Sequence, residues 1–483
     1  MSEKHLSAKV KTQNEAKKKK TERFQKLRRQ KNALKKQVVR LRAQNRELKK
    51  SMALMPTKGV GASVLKNEMP ITTAIERHKF SLRVVSLCMA LYFLANCSFR
   101  GVSRILCYFQ LEFGIQTSEL PSKSSIANWA QKSGYYYYSQ YDSGLYGSDY
   151  CLIVDESMVI GQQRMIVVLG MLASKTGKDA TALCDVRVLA IEVRASWKSE
   201  DLKVLLEKVI KKMEKKPLYV VSDGGSNLKK GIRDAGLTRI CDLGHEISKL
   251  LEQTYTGQEV FVAFSKAVAG VKFREVMKEH AYLLPPKQRS IARFMNFSTI
   301  VNWARKVMAA MPNLSAEEAK VFDFLKEYKV LIRELSDVYD MTEKILKKLK
   351  NEGISHPNIE TCLETCKKYG KKVPQVLQDK VAKYLGEEKA KIPDAATVWN
   401  ASSDILESIF GKYKQRNATN ALHGVTPLVL TLCAYTHFDR DIHLMQPEIK
   451  AAMEAVFMSD IKQWKTLNLT ENQVVRRNKI LKK

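Results

Sequence analysis

No two of the nine cysteines form a C-x-x-C pair, and the step from Cys362 to Cys366 has no histidine or second cysteine pair beside it in sequence. That argues against a zinc framework or a disulfide scaffold and favours reduced thiols. Long apolar runs are missing too. The longest, VVSLCMALYFLANC from Val84 to Cys97, is too short to span a bilayer and reads as a buried helix. The N-terminus is basic and polar, without an apolar signal-peptide core. Acidic residues are in short supply: 50 Asp and Glu face 82 Lys and Arg, a surplus of +32. Such a surplus calls for a polyanionic partner, nucleic acid before acidic membrane. What is present is ordinary for globular protein: 45% hydrophobic residues over 483 positions, enough for two or three domains.

Nearly half of the positive surplus lies in residues 1–50. Residues 1–22 read as a basic arm. Residues 23–55 carry a heptad seam, with Leu27, Leu34, Leu41, Leu48 and Met55 in one series and Phe24, Lys31, Val38, Asn45 and Met52 in the other. A lone Asn in such a seam favours a parallel two-stranded coil, because only its partner Asn satisfies it; one long solvated basic helix is the alternative. The expectation is a homodimer or larger assembly through this coil. Pro56 opens a linker over 56–79.

Residues 80–140 read as three helices. The first is apolar nearly all round and therefore central. The third, SKSSIANWAQKSG, has Ser122 or Ser124 as cap and Ile126 and Trp129 as its apolar stripe. Two short helices leading to one that carries Lys123, Asn128, Gln131 and Lys132 are similar to a helix-turn-helix, whose polar side chains reach bases and phosphates in a major groove. An ordinary three-helix packing unit is the alternative. The run Tyr135–Tyr138 could stack on bases or pack between domains.

The period then changes. DYCLIVDES is a strand expected to end at Asp155, followed by RMIVVLGMLAS and DVRVLAIEVRAS as two further strands. The amphipathic helix KSEDLKVLLEKVIKKMEKK follows, then the strand PLYVVSDGG, a short helix from Asn227 to Ala235, and a fifth strand running into a helix in TRICDLGHEISKLLEQTY. The order is β-β-β-α-β-α-β-α over 148–256. Residues 257–395 read as helical, 396–440 as a return to the α/β part, and 441–483 as a basic tail.

A carboxylate directly after a buried strand, as at Asp223, could merely cap the next helix, a task Ser226 could share. Asp155 occupies the same place on the first strand. In a mixed sheet the first strand usually lies beside the fourth, which would set the two aspartates across one sheet edge. Two such groups resist common ionisation unless a cation joins them, and hard oxygen ligands select Mg²⁺ or Mn²⁺. Two-metal phosphodiester chemistry needs a third acid. Glu407 in SSDILESIFGKYK is the best candidate, on a helix capped by Ser402 or Ser403 with Ile405, Leu406, Ile409 and Phe410 facing a core; Asp404 is its rival. Lys412 and Lys414 on that helix could hold a DNA phosphate.

These residues together resemble the DDE transposases, whose catalytic core is RNase H-like. The resemblance rests on strand order, on Asp155 in LIVDES, Asp223 in VVSDGGSN and Glu407 in SDILESIFGKYK. It rests also on Asp242-Leu243-Gly244-His245, which matches a [C/D]-x-x-H signature found on the fifth strand of many such enzymes. In several of them, the hAT group included, a helical insertion precedes the glutamate. The resemblance implies a mixed five-stranded α/β core interrupted by an all-α insertion, preceded by a helix-turn-helix. It implies Asp155, Asp223 and Glu407 as ligands of two Mg²⁺ ions, with Mn²⁺ as substitute, and His245 near the scissile phosphate. The partner would be double-stranded DNA, as transposon ends and target, with no membrane and no small-molecule substrate. The compartment would be a bacterial cytoplasm, beside the nucleoid, or a nucleus in a eukaryotic host. Competing readings are an RNase H-like nuclease without strand transfer and a non-catalytic DNA-binding dimer.

Overall fold

The computed structural model describes residues 74–113, 120–140, 145–160, 163–177, 180–286, 297–416, 424–438, 442–471 and 473–481. The basic arm, the heptad seam and most of the linker lie outside these residues.

Five strands form one mixed sheet: β1 (Tyr150–Ile160), β2 (Gln163–Leu172), β3 (Val186–Arg194), β4 (Val220–Ser222) and β5 (Arg239–Cys241), in the order β3-β2-β1-β4-β5. β1 pairs antiparallel with β2, and β2 with β3, while β1–β4 and β4–β5 are parallel. The expectation that the first strand lies beside the fourth holds. Side chains alternate across the sheet as the pleat requires. Leu152, Val154, Ile166, Val168 and Val220 are buried on one face, in a core shared with helices α4 (Ser199–Met213) and α5 (Ser226–Asp234). Cys151, Ile153, Val167, Leu169, Tyr219, Val221 and Ile240 face a second and larger core. Both faces are covered, so register is strongly held: a slip of one residue would exchange two apolar sets packed against different helices.

The larger core draws on both ends of the described residues. Ahead of the sheet come α1 (Leu82–Phe93), α2 (Phe99–Phe113) and α3 (Lys123–Ser139). Ser81 caps α1 by accepting the Val84 N–H, and Ser122 caps α3 by accepting that of Ser125. α1 is central, as its all-round apolar sequence predicts, with Val85, Cys88 and Met89 fully buried. α3 is one turn longer than expected and takes in the tyrosine run.

After β5 come α6 (Leu243–Tyr255) and a helical region that includes α7 (Glu259–Glu275), α8 (Phe297–Ala310), α9 (Ala316–Phe322), α10 (Lys329–Glu352), α11 (His356–Tyr369) and α12 (Gln375–Lys389). The chain returns to the sheet through residues 398–403 and enters α13 (Asp404–Arg416), which packs on β1 and on α14 (Thr431–Tyr435).

Two expectations need correction. β1 does not end at Asp155: it continues to Ile160, with the register shifting between Asp155 and Met158. A bulge lets an antiparallel pair continue past a residue that breaks the ladder. Nor is 441–483 simply a basic tail. It contains α15 (Gln446–Ala455), α16 (Met458–Asn468) and α17 (Gln473–Leu481), and Ile449, Met453, Ile461 and Trp464 are buried. Those four residues sit at helical spacing, and the lysines between them masked the stripe. Among the described residues no helix is long and apolar enough to cross a membrane.

Candidate active site

The site grows from the parallel pairing of β1 and β4. Val154 stands opposite Ser222, so Asp155 and Asp223 are the next residues along two neighbouring strands, whose spacing is about 4.8 Å. Alternation sets Asp155 in line with Cys151 and Ile153, and Asp223 in line with Tyr219 and Val221. Both therefore belong to the sheet face on which α13 packs. Asp155 is buried and Asp223 half-buried.

Asp223 does not cap α5. That helix has Gly225 at its N-cap position, and the Asp223 carboxylate accepts the Gly225 N–H at 2.9 Å, which tightens the turn after β4. An added Cβ at Gly224 would meet nothing within 4 Å, so the turn is open at that residue. Arg239 braces the same corner from β5: its guanidinium donates to Ser222 Oγ at 2.7 Å and to the carbonyls of Ser222 and Asp223. This bracing is invisible in the sequence, since a lone arginine at a strand start carries no local signal.

His245 stands in the first turn of α6. Its Nδ1 and backbone N–H both donate to Asp242 Oδ1, at 2.8 and 2.7 Å. The hydrogen bond to Asp242 raises the His245 pKa, burial opposes it, and the charges of Asp242, Asp155 and Asp223 add to the rise, to about 9. The imidazole is thus a cation at neutral pH, held in the field of all three aspartates. Asp242 is only 1% exposed. Burial pushes its carboxyl up, but hydrogen bonds from His245 and Ser403 outweigh that and bring it down to about 2.

The other Asp242 oxygen reaches across the insertion, accepting Ser403 N–H at 2.7 Å and Ser403 Oγ–H at 2.9 Å. Ser403 directly precedes α13, whose Ile405, Leu406, Ile409 and Phe410 are buried as the spacing predicts, and Tyr413 is buried too. Glu407 is exposed in the first turn of that helix. Its rival Asp404 is engaged in an ion pair with Lys350 of α10. Register thus brings Asp155 and Asp223 together, and His245 lies within reach of their charge. Glu407 rides on α13, the helix that packs on β1, but its side chain is exposed and closes no ready-made cluster: among the described residues no three His, Cys, Asp or Glu side chains form a metal-holding group. No protein-family model matches this chain, and no curated protein matches it.

The residues expected to touch nucleic acid divide in two. Lys123, Asn128 and Lys414 are exposed. Gln131 donates to the Ala127 carbonyl of its own helix at 3.2 Å. Lys132 donates to the Met453 carbonyl at 2.9 Å, 6.0 Å from the Phe457 ring, and burial lowers its pKa. Lys412 lies 5.5 Å over the Tyr435 ring. α3 itself packs against α1, α2, α14, α15, α16 and β3, which leaves its N-terminal end as the part open to a partner.

Proposed function

We propose that this protein is a DNA transposase of the DDE type, cleaving phosphodiester bonds at element ends and joining the freed 3′ ends to target DNA. The observation that carries the reading is the pair of aspartates directly following Val154 and Ser222, which are paired on parallel strands β1 and β4, on the sheet face where the helix bearing Glu407 packs. The strand order β3-β2-β1-β4-β5, with three antiparallel strands followed by two parallel ones, suits an RNase H-like core. The helical region between α6 and α13 suits an insertion ahead of the third acid.

The residues fit a divalent metal on chemical grounds. Asp155 and Asp223 are hard oxygen donors, and they already help to hold positive charge at His245. Asp155, Asp223 and Glu407 would be the ligands. Magnesium bound there would polarise the phosphodiester and lower the pKa of attacking water. With Nδ1 committed to Asp242, His245 keeps Nε2–H as a donor for a phosphate oxygen. Lys414, exposed two helical turns beyond Glu407, supplies a cation for the DNA backbone.

The reaction is in-line attack, first by water and then by the released 3′-hydroxyl, with a 3′-oxygen of the attacked strand leaving as the alcohol. No covalent enzyme intermediate is required. Asp155→Asn, Asp223→Asn and Glu407→Gln should each lower Mg²⁺-dependent cleavage of element-end DNA by roughly a thousandfold while leaving DNA affinity within about twofold. Wild-type cleavage by any of them removes that residue from the site. Cleavage without joining, in a strand-transfer assay, identifies a nuclease instead. DNA binding with no metal dependence identifies a non-catalytic binder.

A further inference from the structure

The chain leaves the sheet after β5 and returns only at residues 398–403. That returning segment is pinned at nearly every residue. Val398 O accepts from Thr176 Oγ1 at 2.7 Å, and Trp399 exchanges backbone hydrogen bonds with Ile354 and stacks on Tyr219 at 4.4 Å. Asn400 N–H donates to the Tyr219 hydroxyl at 2.6 Å, and Ala401 O accepts from Leu243 N–H at 2.8 Å. The last attachment before α13 is Ser403 on Asp242. Everything up to Ala401 is held by other groups, so Asp242 governs only the entry of the Glu407 helix.

We infer that Asp242 is a positioning residue: one buried carboxylate takes two hydrogen bonds from His245 and two from Ser403, and so fixes the α13 entry relative to the β1–β4 aspartates. This rests on the proposed function, because Glu407 must be delivered to Asp155 and Asp223. Four donors on two oxygens leave Asp242 fully used by the protein, with no capacity for a substrate or a cation. Its acidity therefore serves geometry. The arrangement also explains how an acid so distant in sequence is placed: the fifth strand ends in a group that grips the end of the insertion.

The test uses the full-length protein with three variants. In Asp242→Asn an amide NH₂ must face a donor, so at least one hydrogen bond is broken. Ser403→Ala removes the hydroxyl bond only, and Ser403→Thr restores it. Hydrogen exchange at the Ser403 amide should accelerate about tenfold or more in Asp242→Asn, with amides of Leu152–Val154 unchanged. Mg²⁺-dependent cleavage should fall by roughly a hundredfold in Asp242→Asn and about fivefold in Ser403→Ala, return to within about twofold in Ser403→Thr, and leave the KM for DNA unaltered. Unchanged exchange at Ser403 in Asp242→Asn together with wild-type cleavage in Ser403→Ala overturns the proposal. So does a fall in activity that Ser403→Thr shares with Ser403→Ala. If Asp242→Asn disturbs the sheet amides as well, the two Ser403 variants decide by the same two readouts. If wild-type protein cleaves no DNA, the transposase reading fails, while the exchange data still decide whether Asp242 sets the α13 entry.

Discussion

At Asp242 and His245 two opposing effects can be read on one pair. Burial alone would neutralise both groups; their mutual hydrogen bond and charge keep both ionised. The folded His245 pKa is raised from 6.5 to about 9, so its contribution to stability is complete below pH 6.5 and is lost as pH rises through 9. The folded Asp242 pKa is lowered from 3.8 to about 2, so its contribution is present above pH 3.8 and is lost as pH falls through 2. These are two ends of one interaction and count once. With a chelator present, His245→Gln should be less stable than wild type by roughly 1–2 kcal/mol between about pH 4 and 6.5, a figure that allows for the solvent reaching the imidazole. Urea unfolding across pH checks this. The gap should close by about pH 10, and a gap independent of pH would mean that the imidazole is neutral throughout.

Two helix-interior glycines show how much an element owes to its neighbours. Gly386 in α12 has open space around its Cα, so Gly386→Ala should stabilise by roughly 0.5–1 kcal/mol through helix propensity alone. Gly134 in α3 lies where the 3₁₀ turn Pro427–Leu430 crosses, and an added Cβ would run into the Leu430 backbone. Gly134→Ala should therefore destabilise by about 2–3 kcal/mol despite the same gain in propensity. Thermal unfolding of the two variants should move in opposite directions; a rise for both would mean that α3 is free to shift. The same contrast explains what was legible in the sequence. Strand alternation, the α4 stripe and the buried face of α13 were readable because their periodicity is local. Which side of α3 is covered was not, because Gln131 and Lys132 look like exposed polar residues until Met453, more than three hundred positions away, closes over one of them. The junction of Asp242 with Ser403 was hidden for the same reason: both residues were visible, as part of a signature and as a cap, but nothing local pairs them.

The described part of the chain is closed by its own two ends. Ile449 and Met453 of α15 and Ile461 and Trp464 of α16 are buried, in helices packed on α3. The seam is also polar: Tyr137 donates to Glu448 at 2.8 Å, and Gln163 at the start of β2 donates to Thr470 Oγ1 at 2.7 Å while accepting the Val425 N–H at 2.6 Å. Deleting 441–483 would remove four large buried apolar side chains, each worth about 2–5 kcal/mol by analogy with core truncations, against a total stability of about 5–15 kcal/mol. The shortened protein should lose cooperative thermal unfolding and become sensitive to proteolysis around Tyr137. A purely electrostatic arm makes the opposite forecast. Its removal would leave the melting transition in place and flatten the dependence of DNA affinity on salt, by roughly 0.9 in log–log slope for each phosphate no longer neutralised. An unchanged melting temperature with a shallower salt slope would show that burial at Ile449, Met453, Ile461 and Trp464 adds little to the fold. A vanished transition would mean that this segment is part of the folded core, docked on α3.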